Sequence, residues 1–106
     1  MNFKEYQNKA EVFAIYKDKV IYPTLGLSSE AGEVCGKIKK ILRDQDGEFT
    51  EKNNEELAAE LGDVLWYISA IATDLGLDLN QIAQKNIDKL ESRKNRNKIQ
   101  GSGDNR

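Results

Sequence analysis

Two stretches decide the fold of this chain, Glu30-Ala31-Gly32-Glu33-Val34 and Glu60-Leu61-Gly62-Asp63-Val64. Each sets two carboxylates three residues apart around a glycine, inside a segment whose apolar residues recur at helical spacing. On a helix, positions three apart share a face with Cβ atoms roughly 5–6 Å from each other, so each stretch presents a pair of acids side by side. Like charges so placed repel, and a glycine in a helix interior costs on the order of 1 kcal/mol relative to alanine. Two locally unfavourable choices at matching positions point to a purpose. The expectation is that the glycines let two helix backbones approach closely, so that four carboxylates converge on a cation that neutralises them.

Working outward, the punctuation divides the chain into four helical segments. The first runs from about Phe3 to Tyr16, and Pro23 closes the connection after it. The second covers about Leu25 to Arg43, with Ala31, Val34, Ile38 and Ile41 or Leu42 as its core stripe, and the Asp46-Gly47 turn ends it. The third opens near Thr50 and carries Leu57, Leu61, Val64, Leu65, Ile68, Ile71, Ala72 and Leu75 until Gly76 stops it. A fourth begins near Asn80, a residue suited to cap it, and continues through Ile82, Ala83, Ile87 and Leu90 into Arg93-Lys94-Asn95-Arg96. The reading is an all-α, four-helix domain over residues 1–100 with a Gly/Ser tail at 101–106.

Phase carries the next step. Glu30 and Glu33 each stand one residue before a core position, Ala31 and Val34; Glu60 and Asp63 do the same before Leu61 and Val64. If the second and third helices pack antiparallel, as a short connection favours, the two pairs face one another at the edge of the core. A lone Glu-x-x-Glu is by default a solvated surface. Two copies with matched glycines and matched phase argue otherwise, while Glu48, Glu51, Glu55 and Glu56 are assigned to solvent.

Composition narrows the cation. The chain has no histidine and one cysteine, Cys35, which removes the usual ligands for zinc, copper and haem and any disulfide within the chain. Cys35 reads as a small buried hydrophobe. An oxygen-only cluster favours a hard ion, and no EF-hand loop is present, so magnesium is favoured over calcium. A di-iron carboxylate bundle would use Glu-x-x-His pairs and is set aside. The net charge of −2 makes no case for a nucleic acid polymer as partner. No apolar run suits a membrane span or a signal peptide, so a cytoplasmic protein is expected.

Leu25-Gly26-Leu27-Ser28-Ser29-Glu30-Ala31-Gly32-Glu33-Val34, followed by Glu60-Leu61-Gly62-Asp63-Val64-Leu65-Trp66-Tyr67, resembles the MazG-type all-α nucleotide pyrophosphohydrolases, whose motif is Glu-Glu-x-x-Glu then Glu-x-x-Asp. The likeness extends through Asn86-Ile87-Asp88-Lys89-Leu90, Arg93, Arg96 and the Gly-Ser-Gly-Asp-Asn-Arg tail, as in compact single-domain members. It implies hydrolysis of a nucleoside triphosphate between its α and β phosphates, giving NMP or dNMP and pyrophosphate, with magnesium as cofactor and manganese as a substitute. Glu30, Glu33, Glu60 and Asp63 match the metal-binding and catalytic positions. Positions matching Tyr67 and Asn86 contact the nucleotide in the family, and those matching Lys89 and Arg93 bind phosphate. Tyr67 lies four residues after Asp63 and continues its face, while Asn86, Lys89 and Arg93 share one face of the fourth helix. Trp66 is a candidate to stack on the base, with packing as the alternative. The likeness also lets the tail fold over the nucleotide and bring Arg106 to its phosphates. Lys37 and Lys40 rank below Lys89 and Arg93.

One departure stands out. The family's first glutamate corresponds to Ser29, leaving four of five carboxylates. The rival reading is therefore a non-catalytic helical nucleotide-binding or protein-interaction module that keeps the fold. Ile68, Ile71, Leu75, Leu77 and Leu79 offer more apolar surface than one small chain covers, which predicts a homodimer or homotetramer.

Overall fold

Asn2, Thr50 and Asp78 start three of the four helices in the computed structural model, which describes residues 1–106. The elements are α1 (Phe3–Glu11), α2 (Ile21–Asp44), α3 (Glu51–Asp74) and α4 (Leu79–Asn95), with no strand, as the sequence predicts. Each cap side chain accepts a backbone N–H that has no partner inside the helix: Asn2 from Glu5 at 2.8 Å, Thr50 from Asn53 at 3.2 Å, and Asp78 from Asn80 at 2.8 Å. Asp78 thus starts α4 two residues before Asn80, the cap expected from sequence.

Two further boundaries differ. Helix α1 ends at Glu11 rather than near Tyr16, and α2 begins at Ile21, ahead of Leu25. Pro23 lies buried in the first turn of α2, where its missing N–H would have had no helical acceptor, so it opens the helix instead of closing the loop. The connection between α1 and α2 is tied to the end of α3. One oxygen of Asp74 accepts from the Tyr16 hydroxyl and from the Val20 backbone N–H, both at 2.8 Å. Val20 is held there at φ 67°, a region that a β-branched residue rarely adopts.

Helices α2 and α3 pack along one another and run antiparallel, since contacts advance along one as they retreat along the other: Gly26 meets Tyr67, Lys37 meets Glu60, and Gln45 meets Asn53. Their turn closes with Gly47 at φ 73° donating to the Ile41 carbonyl at 3.1 Å. Buried Asn53 clamps it by donating to the Gln45 side chain and the Glu48 carbonyl at 2.5 and 3.2 Å.

Helix α1 crosses α3, and α4 packs against α1. Gln7 fastens this junction: its amide donates to Thr73 Oγ1 and the Leu77 carbonyl at 3.1 and 2.8 Å and accepts from Leu79 N at 2.9 Å. The buried apolar set is small, comprising Pro23, Ala10, Ile41, Ala70, Ala72 and Leu79. Of the stripe expected on α2, Ile41 is buried and Val34 half-buried, whereas Ala31, Ile38 and Leu42 are exposed. Cys35, expected to be buried, is exposed too. The cause is architectural: α4 turns away onto α1 and leaves the outer faces of α2 and α3 uncovered. The radius of gyration, 16.6 Å, exceeds the roughly 13 Å of a compact domain of this length.

The expected role of the paired glycines is corrected here. A Cβ built on Gly32 or Gly62 meets nothing within 4 Å, so neither mediates an approach of α2 to α3. The close approach lies at Gly26, where a Cβ would come within 2.2 Å of the Tyr67 ring.

Candidate metal centre and nucleotide site

The register that puts Gly26 against Tyr67 also sets Glu30 of α2 opposite Glu60 and Asp63 of α3. One carboxylate oxygen from each of the three lies within 4.8 Å of the others. Glu33 stands outside this trio, exposed on the next turn, although its charge still acts on Glu30. Desolvation raises the Glu30 carboxyl above its ordinary pKa, and the negative charges of Asp63, Glu60 and Glu33 raise it further. The cluster therefore carries repulsion that nothing in the chain offsets fully. Lys37 Nζ, 3.8 Å from Glu60, is the nearest cation, so this lysine, ranked low from sequence, borders the acids.

Such a donor set suits a hard divalent ion. Magnesium–oxygen bonds of about 2.1 Å place neighbouring ligands roughly 3.0 Å and opposite ones about 4.2 Å apart, so the three oxygens, within 4.8 Å of one another, would draw together to share an ion. Three carboxylates leave further positions for water and phosphate oxygens.

Aromatic rings flank the trio. Tyr67 stands edge-on to Trp66 with centroids 5.1 Å apart, Trp66 edge-on to Tyr16 at 6.5 Å, and Tyr16 stacks on Tyr22 at 5.0 Å. The Trp66 indole N–H donates to the Ala10 carbonyl at 3.2 Å, which fixes the ring against α1. The Tyr67 hydroxyl is pushed up in pKa by desolvation, then by Tyr22, Glu30 and Asp63, which places it beside the acids. Tyr6 of α1 is likewise raised by desolvation and by Asp63.

The basic residues assemble elsewhere. Asn86 is exposed on α4. Lys89 donates to Asp104 Oδ1 at 2.6 Å, and buried Arg93 donates to the same oxygen at 3.2 Å and to the Asp104 carbonyl. These two cations lower the Asp104 carboxyl below its usual range. Arg106 donates to the Lys98, Gly103 and Ile99 carbonyls at 3.1, 2.6 and 2.8 Å, so the tail closes on itself and on the segment that follows α4. None of Asn86, Lys89, Arg93 and Arg106 is hydrogen-bonded or ion-paired to the acidic trio. Gln7 and Asp74, which fix α1 and its connection beside Trp66, escaped sequence reading because a single polar residue carries no pattern.

Comparison with known proteins agrees with this geometry. Residues 23–97 match the family model of the MazG nucleotide pyrophosphohydrolase domain. The chain is also 47% identical over 114 aligned residues to the Gene 37 protein of Mycobacterium phage L5, with all of both chains covered. No solved structure matches the chain.

Proposed function

The chain belongs to the MazG nucleotide pyrophosphohydrolase domain family, and on that premise we propose that it is a magnesium-dependent hydrolase cleaving nucleoside triphosphates between the α and β phosphates. The observation that carries this reading is the convergence of Glu30, Glu60 and Asp63 from two antiparallel helices. When bound there, magnesium or manganese would offset phosphate charge and lower the pKa of a coordinated water toward neutrality. Glu30, Glu60 and Asp63 would hold the ion. Glu33, left outside the trio, orients the attacking water or takes its proton as the water oxygen bonds to the α phosphorus and the bond from that phosphorus to the α–β bridging oxygen breaks, releasing pyrophosphate. Tyr67 and Trp66 line the nucleoside side of the acids.

The same reading assigns Asn86, Lys89, Arg93 and Arg106 to the nucleotide, with phosphate oxygens taking the place of the Asp104 carboxylate on Lys89 and Arg93. Helix α4 rests on α1 in one chain, and Ile82, Ile87 and Leu90 of α4, like Leu61 and Ile68 of α3, are exposed. Together with the large radius of gyration, this supports a homodimer or homotetramer in which copies cover these faces. No helix is long and apolar enough to cross a membrane. We place the protein in the cytoplasm, where nucleotide pools are held.

Incubation with magnesium and a panel of ribo- and deoxynucleoside triphosphates, followed by a pyrophosphate assay, tests the reading. Release of pyrophosphate with equimolar monophosphate is expected, abolished by Asp63→Asn and by chelation. No release from any triphosphate would favour a non-catalytic nucleotide-binding module. A sedimentation mass equal to the monomer at micromolar concentration would overturn the oligomer.

A further inference from the structure

Glu60 of the acidic trio has a cation for a neighbour as well as the other acids. Lys37 Nζ stands 3.8 Å from its Oε1, and the two side chains are only 33% and 20% exposed, so the pair is screened less by salt than one held out in water. No other lysine or arginine pairs with Glu30, Glu60 or Asp63. The place of Lys37 follows from the register. Glu30, Glu33 and Lys37 come on successive turns of α2, and because α3 runs the other way, Lys37 meets Glu60 at the end of the trio away from the Gly26–Tyr67 contact. Beyond that end lies an open cavity of about 210 Å³, lined by Lys37 and Lys40 from α2 and by Glu56, one turn before Glu60 on α3.

We infer that Lys37 is a positioning residue of the acidic trio, an internal cation that competes with a divalent ion for Glu60 and withdraws into the cavity beside Glu56 when the ion binds. The inference rests on the metal-binding part of the reading above and not on the hydrolysis. Charge is the physical reason. Three carboxylates whose oxygens lie within 4.8 Å of one another repel, and an ammonium beside Glu60 offsets part of that repulsion. The same charge opposes a divalent newcomer: at about 6 Å in water-like surroundings, a unit positive charge weakens the binding of a divalent ion roughly tenfold. An ammonium carries donors and no acceptor, so it cannot join the coordination shell and has to give way. Its flexible stem lets it do so without moving the backbone of α2, and the cavity gives it both room and a second carboxylate. Lys37 thereby sets the ion concentration at which the trio loads.

Magnesium is titrated calorimetrically, without nucleotide, into the wild-type protein and into Lys37→Met, Lys37→Arg and Lys40→Met. Methionine keeps an unbranched stem and a high helix propensity while removing the charge. Lys37→Met should bind magnesium about tenfold tighter than wild type, and Lys37→Arg, which keeps the charge, should stay within about threefold of it. Lys40→Met removes the same charge from a lysine that pairs with no member of the trio, and should also stay within about threefold. Displacement is read directly by acylation of lysines and mass spectrometry: magnesium should quicken modification of Lys37 several-fold and leave Lys40 unaltered. Unchanged or weaker magnesium binding in Lys37→Met, an equal tightening in Lys40→Met, or acylation of Lys37 indifferent to magnesium overturns the inference. If the melting curve of Lys37→Met shows that it does not fold, Lys37→Gln takes its place with the same outcomes. Magnesium uptake by none of the four proteins overturns the inference together with the metal centre. The hydrolase fails separately. Tighter binding in Lys37→Met without pyrophosphate release from the wild type sinks the hydrolase and keeps the role of Lys37, whereas release by the wild type with equal magnesium affinity in the two proteins sinks that role and keeps the hydrolase.

Discussion

Gly26 and Tyr67 meet so closely that a Cβ on the glycine would lie 2.2 Å from the Tyr67 ring. Because the ring faces the backbone of α2, and Trp66 stands edge-on beside it, this contact sets how deep α3 sits against α2 one turn from Glu30 and Asp63. Gly26→Ala should therefore destabilise the protein by about 1–3 kcal/mol, as overpacking does, and shift the aromatic near-ultraviolet dichroism. Gly32→Ala and Gly62→Ala, whose new methyls meet nothing, should each stabilise the isolated chain by roughly 0.5–1 kcal/mol in urea unfolding.

The strained connection before α2 makes a second prediction. Val20 at φ 67° is held by its N–H bond to Asp74, and glycine adopts that backbone without steric cost. Val20→Gly should raise the melting temperature, with the relief of strain worth about 1 kcal/mol. Asp74→Ala should lower it, because it frees Tyr16 and Val20 together. Burial, and then its bond to Asp74, pushes the Tyr16 hydroxyl up to about 12 in pKa. In Asp74→Ala, ultraviolet titration should show one tyrosine ionising at lower pH than in the wild type.

Among the acids, charge removal separates ligand from proton acceptor. Glu30→Gln removes a member of the trio and should weaken magnesium binding at least tenfold by calorimetry, while raising the melting temperature of the metal-free protein, since it relieves repulsion from Asp63 and Glu60. Glu33→Gln should leave magnesium affinity within a few-fold of wild type and lower kcat by about 10²-fold or more, the range typical of a general base. Equal losses of metal affinity in the two variants would place Glu33 among the ligands.

The tail carries its own pH dependence. Lys89 and Arg93 hold the Asp104 carboxyl below its ordinary value of 3.8, so the tail's contribution to stability is fully present above that value. It is lost as pH falls through the lower, folded-state value. Order in the tail, read from NMR relaxation at Gly101 and Gly103, should persist at neutral pH and be lost only under strong acid. Asp104→Asn, which removes the charge, should loosen the tail at every pH. The same variant should free Lys89 and Arg93 and lower the KM for a triphosphate if phosphate and Asp104 compete for them.

Helical type and the identity of the acids were legible because both rest on local spacing. Residues three and four apart share a face whatever else the chain does, and that marks Glu30, Glu33, Glu60 and Asp63 without coordinates, of which Glu30, Glu60 and Asp63 converge. Boundaries were less legible. Helix α1 stops at Glu11 because the Asp74 carboxylate, 54 positions beyond Val20, recruits the backbone and the Tyr16 hydroxyl into another path. Ala31 and Ile38 are exposed against expectation because an apolar stripe states that something must cover it and not whether the cover comes from the same chain.

By itself the sequence determined that this is a four-helix protein with paired carboxylates on two neighbouring helices, since periodicity and charge spacing act over one or two turns. Tertiary structure alone decided that Glu33 falls outside the trio, that Gly26 is where the backbones close, and that Asp104 occupies Lys89 and Arg93. Those outcomes depend on how far one helix slides along another and which way α4 leaves its turn. Such choices are made by long-range contacts that a local pattern does not encode.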